Sequence, residues 1–144
     1  MNIPFVMKTD RIGKEFEDKR LNIKLFAILI DAYGFVRAKY GKSTNLRITE
    51  IWRSEEEQES IYGKDSRRSL HQEWCAVDFA IITQSEKEDI MKIYYELKNY
   101  INSRWTYYGS DGIQTAVAHD VKNQKGELLG FHIHIQAGWA DPTR

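Results

Sequence analysis

A chain of 144 residues, 42% apolar and 12% aromatic, is long enough to bury a core without cross-links and is not the composition of a disordered or fibrous protein. Its 21 basic residues match its 21 acidic ones, so formal net charge is zero, which speaks against nucleic acid or a membrane surface as partner and leaves a small or peptide substrate. The single cysteine, Cys75, excludes an internal disulfide and a cysteine zinc cage, and fits folding in a reducing compartment.

No repeat, low-complexity tract or linker interrupts the chain, so one domain over residues 1–144 is expected, as a monomer. Residues 1–8 lack the apolar stretch of a secretory leader, which predicts synthesis in the cytoplasm. Residues 10–20 read as a short charged helix. Residues 21–39 place Leu25, Ile28, Leu29, Ala32, Phe35 and Val36 at helical spacing, and Gly41 ends that helix. The apolar run at 25–30 is too short to span a bilayer.

Residues 46–52 read as a strand. Ser54 and Glu57 form a capping-box pattern that opens a helix to about Tyr62, with Gly63 as its stop. A charged loop follows at 64–70. Residues 75–82 are β-rich and nearly all apolar, the mark of a central strand. A second capping box at 85–88 starts a helix with Ile90, Ile93, Tyr94, Leu97, Tyr100 and Ile101 on one face. Short strands are expected near 105–108, 115–121 and 128–136. Helices first and strands later predict an α+β fold: a central antiparallel sheet, helices packed on it, and a site in a cleft over the sheet.

The chain has four histidines: His71, His119, His132 and His134. In a strand over 128–136, His132, His134 and Gln136 share one face, while Phe131, Ile133 and Ile135 feed the core. Such a face is either a converging site or the solvent side of an edge strand. Asp78 sits between Val77 and Phe79 in an apolar strand, where a carboxylate is costly unless it is paired, caps a backbone amide or binds a metal. Taken together, two histidines and an aspartate make a three-ligand zinc set with a fourth position open for water, the arrangement of a catalytic site. Zinc lowers the pKa of bound water and polarises a carbonyl.

At these residues the chain resembles the LAS metallopeptidases, the zinc D-Ala-D-Ala carboxypeptidases and L-alanyl-D-glutamate endopeptidases. Their pattern is S-x-H-x-x-G-x-A-x-D, then a distant strand with the last histidine. Ser69, His71, Ala76 and Asp78 match it, and Arg53, leaving a strand just before a helix, matches the family's arginine. The resemblance covers about residues 46–136. It implies zinc held by His71, Asp78 and His134, His132 beside the reacting bond, Arg53 on a substrate carboxylate, and Ser69 near the substrate. It implies hydrolysis of an amide bond in peptidoglycan stem or cross-link peptides. Gln136, on the strand face of His132 and His134, reads as a substrate hydrogen-bonding residue or a solvent-facing one. The lack of a secretory leader suits either a phage lysin released to the wall through a separate pore protein or a cytoplasmic enzyme acting on recycled wall peptides.

Two departures stand out. Trp74 occupies the family's glycine position, so a different turn is expected there. Phe131 occupies the usual acidic base position, which leaves His132 as first choice of base, ahead of Glu127 and Glu73. His119 reads as a surface or core histidine or a partner of the site. Trp105, Tyr107, Tyr108 and Trp139 read as core aromatics that alternatively wall a peptide groove. The rival enzyme reading is a histidine-triad nucleotide hydrolase or transferase, because His132-Ile133-His134-Ile135-Gln136 matches its H-x-H-x-Q form; it gives no work to Arg53, His71 or Asp78. The non-enzymatic rival is an inactive metal-binding homologue.

Overall fold

In the computed structural model, the residues described are 3–64, 69–84, 87–105 and 114–137. Strand β1 (Val6–Met7) leads to helix α1 (Asp10–Phe16), helix α2 (Ile23–Tyr40) and strand β2 (Asn45–Glu50). Helix α3 (Glu55–Tyr62) and a short 3-10 helix (Leu70–Glu73) precede strand β3 (Ala76–Ile82). Helix α4 (Lys87–Arg104) then connects to strands β4 (Ala116–Lys122) and β5 (Leu128–Gln136). The five strands form one sheet in the order β1-β2-β3-β5-β4.

The fold is α+β, and the expected antiparallel sheet is found for β2, β3, β5 and β4. Its edge differs: β1 pairs parallel to β2, making the sheet mixed. A two-residue strand has no hydrophobic period to betray it. The helix signals act as expected. Ser54 and Glu57 form a complete capping box, and Gly41 and Gly63 close α2 and α3. The capping box at 85–88 lies outside the described residues. Trp105 has no strand conformation, and 106–108 lie outside the described residues.

Side-chain alternation divides the sheet. One face buries Leu46, Ile48, Val77, Phe79, Ile133 and Ile135 against Leu25 and Leu29 of α2 and Ile93, Leu97 and Ile101 of α4. Each fully buried Leu or Ile contributes roughly 1.5–3 kcal/mol by leaving water. With one face committed to the core, the other is free to carry polar groups.

Candidate metal centre

The register lines up the site. Glu50 pairs with Asp78, Asp78 with His134, and His134 with Val117, so one row crosses four strands on the face away from the core. The next row pairs His132 with His119. All these side chains line one cleft of about 500 Å³.

The 3-10 helix delivers His71. The Ser69 hydroxyl accepts the backbone N–H of His71 at 3.1 Å, and Gln72 returns to the N–H of Ser69 at 2.8 Å. Trp74 closes the turn at φ 60, ψ 29, in the left-handed region that glycine enters most cheaply. The turn therefore suits a glycine, contrary to the expectation of an altered one. The indole stacks on Trp52 at 5.8 Å, with the Arg20 guanidinium 4.4 Å from its ring centre, so packing holds a backbone that local sterics disfavour.

Three imidazoles converge on Asp78. His71 Nε2 lies 3.1 Å and His134 Nδ1 2.9 Å from Oδ1; His132 Nε2 lies 3.5 Å from Oδ2. Their outer nitrogens all meet oxygen: His71 Nδ1 the Ile51 carbonyl at 2.9 Å, His132 Nδ1 the Gly130 carbonyl at 3.0 Å, His134 Nε2 the Gln136 amide oxygen at 3.0 Å. Carbonyls only accept, so the outer nitrogens carry the hydrogens. Each inner lone pair then faces a carboxylate oxygen, which repels unless a proton or cation intervenes. Burial disfavours charge on His71, but Asp78 outweighs it and raises the His71 pKa. Burial likewise opposes ionisation of Asp78, yet His71 and His134 hold its pKa well below the usual carboxylate range.

The donor set fits a metal. His71, Asp78 and His134 each offer one ligand atom, all within 4.8 Å of one another. Two atoms bound tetrahedrally to one ion at about 2.1 Å lie about 3.4 Å apart, so the widest pair need close by no more than about 1.4 Å. Outer nitrogens fixed on backbone and amide oxygens are the usual support of a metal-binding histidine.

No family model matches this chain, and no curated protein matches it.

The remaining candidates fall in the same cleft with their polar atoms engaged. Arg53 is 5% exposed; its Nε and Nη2 grip both oxygens of Glu50 at 2.9 and 2.5 Å, and Nη1 holds Gln58 at 2.5 Å. Its carboxylate partner within the chain is thus Glu50, not a residue of α3. Gln136 is held between His134 and the Gln114 carbonyl at 2.9 Å. Ser69 lines the cleft while capping the His71 turn. His119 packs at a tilt against His132, ring centres 4.7 Å apart, and burial, with His132 and His134 nearby, lowers its pKa. Neither Glu73 nor Glu127 lines the cleft. Cys75 is fully buried. Trp105 packs against the core and donates to Asp31 at 2.9 Å; Tyr107, Tyr108 and Trp139 lie outside the described residues.

Sequence reasoning passed over Glu50, Gln58 and Lys8, which also line the cleft. Glu50 follows a bulge between Ile48 and Glu50 that shifts the β2 register, so simple alternation misplaces it. Gln58 is one α-helical turn beyond Ser54, a spacing that points it back toward Arg53.

Proposed function

We propose that this chain is a zinc-dependent peptidase of the LAS type that cuts an amide bond in peptidoglycan stem or cross-link peptides. One observation carries the reading: three histidines, each with its outer nitrogen on an acceptor, turn their inner nitrogens onto Asp78. Such a centre suits a cation. In this reading His71 Nε2, Asp78 and His134 Nδ1 hold the ion, as the shared ligand-atom cluster supports. When bound, zinc supplies a polarised carbonyl and a water acidified toward neutrality.

The chain's own groups do the rest. The Gly130 carbonyl keeps hydrogen on His132 Nδ1, leaving Nε2 to take a proton from the attacking water and return it to the leaving amine. Once protonated, His132 also stabilises the developing oxyanion. Gly130 has φ 101 and donates its own N–H to Asp120 at 3.0 Å, which sets the direction of that carbonyl. Arg53 steadies Glu50 at the cleft wall.

The close approach of His71 and Asp78 to the His132–Gln136 strand favours this reading over the histidine-triad one, which leaves both residues idle. The test is metal analysis of the purified chain joined to hydrolysis assays on wall peptides. About one zinc per chain and zinc-dependent release of an amine are expected. A metal-free chain that cleaves a nucleoside phosphate derivative would establish the rival.

A further inference from the structure

The cleft has a second cation, at its far rim. Lys8 lies immediately after β1, and its backbone N–H donates to the Ile48 carbonyl at 3.0 Å, fixing it beside Thr49 and Glu50. Its side chain lines the cleft and is exposed. Lys8 makes no ion pair with any described residue. Arg53 differs in kind, because three of its guanidinium nitrogens are engaged by Glu50 and Gln58. An incoming anion must displace Glu50 to be gripped by Arg53, whereas Lys8 has only water to give up.

We propose that Lys8 is a specificity-determining residue that receives a carboxylate of the peptide substrate, on the β1 side of the bond that is cut. The proposal rests on the peptidase reading. Position sets the spacing. Lys8 stands two strands from Asp78 in the sheet order, which places their backbones about 10 Å apart. A peptide advances about 3.3 Å per extended residue, and the flexible lysine stem covers part of the gap. The substrate carboxylate therefore belongs one or two residues from the scissile amide. A short edge strand running parallel to β2 is what carries this ammonium to the rim.

The test compares binding to the zinc-loaded full chain by calorimetry. The probes are N-acetyl-D-Ala-D-Ala and L-Ala-D-Glu, each N-methylated at the internal amide so that it is not cut, as free acids and as amides. Wild type is expected to bind the acids about two- to five-fold more tightly than the amides, the size of an exposed charge pair. That preference should fade between about 50 and 500 mM salt. Lys8→Met should abolish it while amide binding and zinc content stay unchanged. No preference in wild type, or a preference that survives in Lys8→Met, overturns the assignment. Hydrolysis of the unmethylated peptides reports separately on the peptidase reading. Lys8-dependent acid binding without hydrolysis refutes catalysis alone, and hydrolysis without acid preference refutes Lys8 alone.

Discussion

Asp78 is the residue on which the site turns, since it is 6% exposed and shared by three imidazoles. The proposed ligand set predicts that His71→Ala, Asp78→Ala and His134→Ala each lose zinc on dialysis, whereas His132→Ala keeps it and loses about 10² to 10⁴ in turnover. Metal content measured by atomic emission decides the matter: a zinc-free His132→Ala beside a zinc-bound His134→Ala reverses the assignment. Arg53 makes a second test. Arg53→Lys cannot reproduce three contacts on Glu50 and Gln58, so it should keep zinc, lose about 1–3 kcal/mol of stability in urea titrations, and lower kcat/KM. Unchanged kinetics and an unchanged urea midpoint would remove any role for the fork. At this scale the sequence was legible where chemistry is rare: four histidines and one aspartate in an apolar strand pointed to the cluster the structure assembles. The Glu50–Arg53 pair was not legible, because a bulge and a loop, not a period, bring the two together.

Among the elements, the turn into β3 and the α2–α4 contact are the ones whose strain or charge can be measured. Trp74 holds a left-handed backbone beneath a stack with Trp52 and Arg20. Both Trp74→Ala and Trp74→Gly lose that stack, but only glycine also relieves the backbone. The glycine variant should therefore be more stable than the alanine variant by about 1 kcal/mol in urea unfolding, despite its freer unfolded chain. Equal stability would mean the turn relaxes once the indole is gone. On the other face, Asp31 of α2 accepts from Tyr100 at 2.7 Å, Arg104 at 2.8 Å and Trp105 at 2.9 Å. Burial pushes its pKa up, but these three donors outweigh it and the value is lowered. A carboxylate depressed in the fold adds stability above its unfolded pKa of about 3.9 and loses it as pH falls through the folded value. The stability gap between wild type and Asp31→Asn should thus shrink below about pH 4. A gap constant from neutrality into acid would show that Asp31 acts through shape alone. The strongest helices were readable because their apolar spacing matched the burial they achieve: Leu25, Leu29, Ile93, Leu97 and Ile101 are all core residues. Strand β1 was not, since pairing with β2 defines it and no local pattern does.

Across the whole molecule, the sheet divides labour between its faces: one is the core and the other the site. An ion held by His71, Asp78 and His134 ties the 3-10 helix to β3 and β5, segments separated by 56 residues at Asp78 and His134. Zinc should then raise the melting temperature, with about 2.7 kcal/mol added at a hundred-fold excess over Kd, and a chelator should reverse it. A calorimetric midpoint indifferent to zinc would argue against an ion at this position. No helix among the described residues is long and apolar enough to cross a membrane. The placement of the histidines has one more consequence. All four line the same cleft and the chain has no others, so every imidazole carbon proton in an NMR spectrum reports from that one place. The molecule carries its own resonance probe: four imidazole rings, each with two carbon-bound protons, through which metal, inhibitor and peptide can each be titrated without engineering a reporter.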